Sequence, residues 1–293
     1  MGNTQAKTPE TCKNMILGAH VSTSGGLHNA ITNGDKLHCD TIQIFLRNPN
    51  RWVAKPPIPA VMDKFRDAWT ASAIGEVIVH DIHLSNLASP KTEVLEKSRQ
   101  QFQEQMELAD TLGLRYIVTH LGAHLGEGEE PGLKLLSESF DFLFENIEAP
   151  DVTVLLETTA GQGTNLGYCF EHLRDVISMS KYPDRFGVCL DTCHVFAAGY
   201  DLRTEADCEA TFNQFDEVIG LARLKAFHLN DAKSTYQSRV DRHEHIGDGN
   251  IGATAFAYIL NDSRFTEIPL IIETPQMETM HETNLATLRG LRV

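Results

Sequence analysis

The chain has 293 residues, of which 42% are hydrophobic and 22% are charged. This length can form one large α/β barrel or two small domains, and no apolar run approaches the ~20 residues that span a bilayer. The formal net charge of −15 argues, taken alone, against a nucleic-acid partner, because phosphate binding depends on Lys and Arg.

The first residues are polar and lack the apolar region of a secretion signal. We expect residues 1–14 to form a flexible tail and residues 15–293 to form one domain. The six cysteines are scattered without a CxxC pair, which indicates a reduced, cytoplasmic protein. Cys189 and Cys193 flank Asp191 and could offer thiolates to a metal, although burial as two small side chains is the simpler interpretation.

Short apolar runs alternate with longer helical patterns along the chain. The runs are nearly continuous in apolar residues, as expected for parallel strands that are buried on both faces. Eight strands are predicted, at 15–20, 41–45, 76–80, 116–120, 152–157, 186–191, 224–228 and 269–273.

Helical patterns fill the intervals between these strands, most clearly at 92–113, 129–147 and 205–224. The strand ends fall between positions 20 and 273, so a strand recurs about every 36 residues, which suits one strand, one helix and two loops. This spacing predicts a single-domain (β/α)8 TIM barrel. A doubly wound open sheet is the alternative, because eight strands alone do not prove closure, but no G-x-G-x-x-G follows the first strand.

Seven of the eight predicted strands end in a side chain that can bind a metal. The second strand, which ends in Phe45, is the exception. In a barrel the carboxyl ends of all strands meet at one face, where active sites lie. So many acidic and imidazole groups on one face would be unfavourable without cations. The seven residues are His20, His80, His120, Glu157, Asp191, His228 and Glu273.

Further candidates follow the strands. His194 comes three residues after Asp191, and Asp241 and His243 form an Asp-x-His whose side chains can point the same way in extended backbone. With His20 set aside as a residue that orients a ligand, nine ligands remain, which suggests two or three metals and a shared carboxylate. Histidine and carboxylate ligands favour zinc, with manganese as a possible substitute.

The other histidines are left out of the predicted site. We expect His28, His38, His172 and His281 to be solvated, because they lie on or near polar, helix-like stretches. His124 and His245 are close to the site in sequence but are not expected to be ligands.

Five stretches of the sequence carry a family resemblance. They are GAHVSTSGGL (18–27), LETTAGQGTNLG (156–167), GVCLDTCHVFAAGYDLRT (187–204), HLNDAKST (228–235) and SRVDRHEHIGDGNIG (238–252). With these motifs the chain resembles the endonuclease IV family, the zinc-dependent apurinic/apyrimidinic-site DNA repair nucleases. The resemblance implies a TIM barrel with three zinc ions per chain.

The resemblance also implies how the nine ligands are shared. His80 and His120 would bind one zinc, and Glu157 would bridge it to a second. Asp191, His228 and Glu273 would complete the second, and the third would take His194, Asp241 and His243. The implied reaction is hydrolysis of the phosphodiester 5′ to an abasic site by zinc-bound hydroxide, which leaves a 3′-hydroxyl and a 5′-deoxyribose phosphate, together with trimming of blocked 3′ ends. Glu157 or Glu273 would orient the attacking water.

Two loops depart from the family pattern for contacts to double-stranded DNA. The loop after the third strand has His83 and Leu84 where the family has a Tyr-Leu pair, so the stacking ring is smaller and can titrate. In the loop after the second strand, Arg51 lies one position beyond Asn50, where the family's groove-inserting Arg would align. These departures affect the details of lesion recognition and leave the metal ligands unchanged.

Local positive charge can reconcile the acidic chain with a DNA partner. Three zinc ions would add six positive charges, and steering depends on the local field more than on net charge. The basic residues expected on loops at the same face are Arg47, Arg51, Lys55, Lys233, Arg239 and Arg242. We expect the protein to act as a monomer, away from membranes.

Two other functions compete with the nuclease interpretation. Sugar isomerases and epimerases of the xylose-isomerase-like barrel type resemble this chain in the four residues Glu157, Asp191, His228 and Glu273, but their chemistry has no role for the five further ligands. The other alternative is a zinc-storing or DNA-binding barrel that has lost catalysis. The sequence does not support such a loss, because all the predicted carboxylate and imidazole ligands are present.

Overall fold

The computed structural model describes residues 15–53 and 57–293. The predicted tail, residues 1–14, and the predicted basic residue Lys55 lie outside the described residues. Ten strands are found in the described part, and we number them β1 to β10 in chain order: Leu17–His20, Thr41–Ile44, Glu76–His80, Tyr116–His120, Thr153–Glu157, Phe186–Asp191, Leu224–His228, Asp231–Ala232, His243–Glu244 and Leu270–Ile272.

Eight of these strands close into a parallel barrel in the order β1-β10-β7-β6-β5-β4-β3-β2. The first and last barrel strands pair directly, with Leu17 beside Leu270. The prediction of a TIM barrel is therefore confirmed, and the open sheet is excluded. The two remaining strands, β8 and β9, form an antiparallel hairpin above the barrel.

Helices cover the outside of the barrel. Within the described ranges we number them α1 to α9: His28–Lys36, Pro59–Thr70, Thr92–Leu112, Glu129–Asn146, Phe170–Met179, Thr192–Ala198, Glu205–Val218, Ala253–Asn261 and Met277–Gly290. Short 3-10 turns precede β6, β7 and β10, at Pro183–Arg185, Leu221–Arg223 and Ser263–Phe265. Among the described residues, no helix combines the length and the apolar character that crossing a membrane requires.

The predicted helix at 205–224 is interrupted in the structure. Helix α7 ends at Val218, and a 3-10 turn begins at Leu221. Gly220 lies between them with φ of 93°, a conformation in which glycine has no steric penalty. The helix stops there, and the chain turns into β7.

A small core fills the barrel interior. It consists of one side chain from each of six strands: Ile78, Val118, Leu155, Cys189, Ala226 and Ile271. Cys189 therefore packs inside the barrel, where burial raises the pKa of its thiol to about 11. A neutral thiol inside the barrel supports the interpretation of Cys189 as a small buried side chain and not as a metal-binding thiolate.

The same core explains where the predicted ligands point. Side chains two residues apart on a strand lie on the same face. His80, His120, Glu157, Asp191, His228 and Glu273 each follow a core residue by two positions. They must therefore also point toward the barrel axis, one layer above the apolar core and at the carboxyl ends of the strands.

Two of the histidines expected to be solvated are buried. His172 on α5 and His281 on α9 have only 6% and 1% of their surface exposed, whereas His38 is exposed and His28 is half-buried. The prediction was wrong for the first two because it considered only the polar neighbours in sequence. Helix α9 turns the His281 ring toward Thr274, whose carbonyl oxygen lies 3.3 Å from His281 Nε2.

Acid is expected to destabilise the fold through His281. Burial lowers the pKa of this ring to about 4, so the unfolded chain, with a pKa near 6.5, binds the proton more tightly. The stabilising contribution is complete above pH ~6.5 and is lost as the pH falls toward ~4, a change of about 2–3 kcal/mol. The free energy of unfolding in urea would be measured at pH 7.5 and at pH 4.5. Between these two pH values, the wild-type protein should lose about 2–3 kcal/mol more than the His281→Leu variant. Equal losses in the two proteins would contradict the assignment.

Candidate metal centre

The nine predicted ligands meet at the carboxyl end of the barrel. They fall into three groups whose ligand atoms lie within 4.8 Å of one another. The groups are His80, His120 and Glu157; Glu157, Asp191, His228 and Glu273; and His194, Asp241 and His243.

Glu157 joins the first two groups and is fully buried. Its Oε2 lies 3.0 Å from His120 Nε2 and 3.2 Å from His80 Nε2, and its Oε1 lies 2.9 Å from His228 Nδ1. Burial alone would raise the pKa of this carboxyl, but the charges and hydrogen bonds of the surrounding imidazoles hold it well below its usual range. Glu157 is therefore an anion whose two oxygens face two different sets of histidines.

The third group extends from the barrel to the hairpin. His194, in the first turn of α6, places Nε2 3.2 Å from Asp241 Oδ2. His243 on β9 places Nε2 3.4 Å from Asp241 Oδ1 and 3.6 Å from Asp191 Oδ2. Asp191 caps helix α6 at its N-terminus, because its Oδ1 accepts a hydrogen bond from the His194 backbone N–H. This cap fixes the position of His194, in the third group, relative to Asp191, in the second.

The donor set fits metal ions. Within the described chain, the buried Nε2 atoms of His194 and His243 have no hydrogen-bond partner, although both face carboxylate oxygens. Burial would lower the pKa of His194, yet the charges of Asp191 and Asp241 raise it well above the ordinary value. A divalent cation among these atoms would use the ring nitrogens as ligands and offset the carboxylate charge.

Cys193 also comes within reach of this region, since its sulfur groups with Asp191 and His243. Burial raises the pKa of its thiol, and the nearby charge of Asp191 raises it further. The thiol directs its proton at the Arg242 carbonyl oxygen, 3.5 Å away. A neutral thiol is a weak ligand, so the imidazoles and carboxylates form the better donor set.

His20 is placed beside the site as a support. Its Nδ1 lies 3.0 Å from Glu273 Oε1, as expected for a residue that orients a ligand, and burial lowers the pKa of the ring. His124 and His245 belong to none of the three groups. His124 Nδ1 accepts the backbone N–H groups of Gly126 and Gly128, and His245 Nδ1 contacts the Asn284 side chain.

Two buried amides in the site were missing from the sequence prediction. Gln43 on β2 contacts His20, His228 and Glu273. Asn230 donates to Asp191 Oδ2 at 2.8 Å and accepts the Glu273 backbone N–H at 2.8 Å. A polar side chain inside an apolar strand must find partners when buried, so the Gln of TIQIF was the signal for the first. The second strand therefore does contribute to the site.

Asp231 holds the hairpin that carries Asp241 and His243. Its fully buried carboxylate accepts backbone N–H groups of Ala232, Gly247, Gly249, Ile251 and Gly252, at 2.8 to 3.4 Å. The backbone approaches so closely that a Cβ on Gly249 would lie 2.4 Å from Asp231 Oδ1. Only glycine fits at position 249 without a shift.

We expect Asp231→Ala to destabilise the protein by at least about 3 kcal/mol, because several buried N–H donors lose a charged acceptor. Asp231→Asn keeps one acceptor oxygen and should lose less. The free energy of unfolding in urea is the measurement. A loss below about 1 kcal/mol for the alanine variant would show that the carboxylate does not hold the loop.

The predicted DNA-contact residues surround this face. Asn50, Arg51, His83, Lys233 and Arg242 are exposed, and Leu84 is half-buried. The His83 ring centroid lies 5.2 Å from that of Phe45. An open cleft of about 800 Å³ lies between the loops after β1, β2 and β10 and includes His20 and Arg47 in its lining.

Two residues of the predicted basic patch contact other side chains of the chain. The Arg47 guanidinium donates to Glu104 Oε2 at 2.6 Å, and only 7% of its side chain is exposed. The Arg239 guanidinium lies 3.7 Å from the centre of the Tyr168 ring. Arg47 is thus largely neutralised, which the loop sequence did not reveal. Arg51, Lys233, Arg239 and Arg242 are exposed on the loops of this face.

Comparison with known proteins agrees with this geometry. Residues 34–291 match the family of xylose isomerase-like TIM barrels. The chain is 50% identical over 277 residues to a probable endonuclease 4 of Geotalea daltonii, with 94% of this chain and 97% of the relative covered. It is 48% identical over 280 residues to a probable endonuclease 4 of Geobacter sulfurreducens, with 95% of each covered.

Solved structures show the same relationship. The crystal structure of endonuclease IV from Thermus thermophilus matches with a TM-score of 0.83 and 30% identity, over 94% of this chain and 98% of that one. A D-tagatose 3-epimerase-like protein matches with a TM-score of 0.73 over 94% of this chain and 97% of that one, but at 18% identity it shows only the shared fold. By the identity and coverage of these relatives, the chain belongs to the endonuclease IV family of xylose isomerase-like TIM barrels.

Proposed function

We propose that the protein is a zinc-dependent apurinic/apyrimidinic endonuclease with three metal ions per chain. It would hydrolyse the phosphodiester 5′ to an abasic site in double-stranded DNA, leaving a 3′-hydroxyl and a 5′-deoxyribose phosphate, and would trim blocked 3′ ends. The named relatives support a DNA repair nuclease. The observation that carries the proposal is the convergence of nine imidazole and carboxylate ligands in three adjoining groups.

Each of the three ions would have its own set of ligand residues. His80 and His120 would hold one ion, Asp191, His228 and Glu273 a second, and His194, Asp241 and His243 the third, with Glu157 shared by the first two. Zinc bound there would supply positive charge and Lewis acidity to a phosphodiester and would lower the pKa of water to about 7. Manganese is suited to the carboxylate ligands of this site and would serve as a substitute.

The two glutamates differ in their access to solvent. The Glu157 side chain is fully buried, whereas 17% of the Glu273 side chain is exposed. Burial would raise the pKa of Glu273, but the charge of His228 and the hydrogen bond from His20 keep it well below its usual range. Glu273 is therefore an ionised base that water can reach, and we assign the orientation of the attacking water to it. Glu157 serves as the shared ligand.

DNA would lie across the loops of this face. Arg51, Lys233 and Arg242 are exposed cations suited to phosphate contacts. His83 and Leu84 follow β3 directly and would enter the groove beside the lesion, with Asn50 on the neighbouring loop. The acidic remainder of the surface requires that binding depends on these few cations and the metals, so affinity should fall as salt rises.

The test uses a duplex with one tetrahydrofuran abasic analogue, which resists β-elimination. A nick that a DNA polymerase can extend directly would demonstrate hydrolysis on the 5′ side with a 3′-hydroxyl product. Metal-loaded protein that converts a ketose and leaves this duplex intact would favour a sugar epimerase instead. Binding of the abasic duplex without turnover would favour a barrel that has lost catalysis.

A further inference from the structure

Three of the ligand histidines have one ring nitrogen fixed by the main chain. The Nδ1 atoms of His80, His194 and His243 lie 2.7, 2.8 and 3.1 Å from backbone carbonyl oxygens. A carbonyl oxygen only accepts, so each Nδ1 carries a proton and the Nε2 atom is directed at the carboxylates of the site. The backbone itself sets the orientation and tautomer of these rings.

His228 is fixed differently, by a side chain. Its Nε2 lies 2.8 Å from Gln43 Oε1, and its Nδ1 faces Glu157 Oε1 at 2.9 Å and Glu273 Oε2 at 3.3 Å. Among these four histidines, His228 is the one whose ring is oriented by a side chain, which mutation can remove. Nδ1 is therefore the nitrogen left for a cation.

The orientation of the Gln43 amide follows from its other neighbour. Gln43 Nε2 lies 2.6 Å from Glu273 Oε1, and an ionised carboxylate only accepts hydrogen bonds. The NH2 group must face Glu273, so the amide oxygen must face His228. The reverse orientation would set two acceptors, the amide oxygen and Glu273 Oε1, against each other.

The amide also acts on the Glu273 carboxylate. Glu273 Oε1 accepts a hydrogen bond from Gln43 Nε2 and also lies 3.0 Å from His20 Nδ1. His20 and Gln43 are register partners on β1 and β2, so both reach the same oxygen. Oε2 is left to face His228 Nδ1.

We propose that Gln43 is a positioning residue for the second metal, the ion assigned to Asp191, His228 and Glu273. Its single amide fixes both the Nε2 proton of His228 and the Oε1 atom of Glu273. The inference rests on the proposed metal-dependent function and goes beyond it by naming a residue that touches no metal. Gln43 is fully buried, so water does not supply these hydrogen bonds in its place. Its removal frees the ring and the carboxylate together.

The experiment measures metal affinity in Gln43→Met, which keeps the length of the side chain and removes both polar groups. Competition with a chromophoric chelator should show one metal per chain bound about 10- to 100-fold more weakly, the usual effect of losing a partner that orients a ligand. The visible spectrum of the Co2+-substituted protein should change as well. Gln43→Asn, whose amide stops one methylene short, should shift the affinity in the same direction if the Met variant fails to fold.

Thr41→Val is the matched control. Thr41 is buried on the same strand and donates to the Glu76 carbonyl oxygen at 3.0 Å, but it contacts none of the nine ligands. It should lose some thermal stability and keep wild-type metal affinity and Co2+ spectrum. Gln43 variants that behave like Thr41→Val would overturn the inference and leave a purely structural role.

Failure of the proposed function has a separate signature. Wild-type protein that binds no metal, or that binds metal and never incises abasic DNA, would contradict the nuclease. Wild-type protein that does both, beside a Gln43→Met variant with unchanged affinity for every metal, would contradict only the role of Gln43.

Discussion

Glu157→Gln is expected to reduce incision of an abasic duplex at least about 1,000-fold, equivalent to a loss of ~4 kcal/mol of transition-state stabilisation. The substitution preserves shape but replaces an anionic oxygen, which His80 and His120 face, with a donor or a neutral acceptor. It removes the carboxylate that joins two of the three ligand groups. Single-turnover rates with saturating protein would measure the effect without interference from product release.

A matched control tests whether the loss of a carboxylate elsewhere in the protein also slows incision. Glu138→Gln removes a carboxylate from the exposed surface of α4, where it lies 3.9 Å from Lys134 Nζ. It should incise at a rate close to that of wild type. A Glu157→Gln variant that folds and stays within ten-fold of wild type would show that the shared carboxylate has no essential role.

Asp241→Asn should remove one metal per chain and slow incision about 100-fold. Asp241 contacts the two imidazoles of the third group and lies on the hairpin, with 41% of its side chain exposed. Its loss should therefore weaken the third site while the barrel and the other two groups stay intact. Metal analysis after gel filtration, with the incision rate of the same sample, would show both effects.

The variant also tests how the ligands are divided. Retention of the full number of metals together with an unchanged rate would contradict the assignment of Asp241 as a ligand. Loss of every metal would show that the three groups bind as one cooperative unit.

The strands were predictable because a parallel strand that is buried on both faces has apolar side chains at nearly every position. The predicted bounds of β3, β4, β6 and β7 match the structure residue for residue. Closure of the barrel followed from a strand at every ~36 residues, and the strand ends then indicated which polar groups share a face.

The missed features depend on contacts between distant segments. The partners of Gln43 are 23 to 230 positions away in sequence, so its role required the barrel register. Arg47 was predicted to belong to a basic patch at the face of the site, but Glu104 on α3 neutralises it. His281 lies in a polar stretch, but the packing of α9 buries it. Local sequence describes the neighbours of a residue on its own element, whereas these outcomes depend on the elements packed against it.

The most direct test of a three-metal nuclease is a zinc titration of metal-free protein. Zinc bound per chain and incision of the tetrahydrofuran duplex would be followed in the same samples. We expect three zinc ions to bind and activity to rise steeply only as the last site fills, because the three ligand groups adjoin one another at one end of the barrel. Full activity with a single zinc per chain, or three bound zinc ions with no incision, would contradict the account.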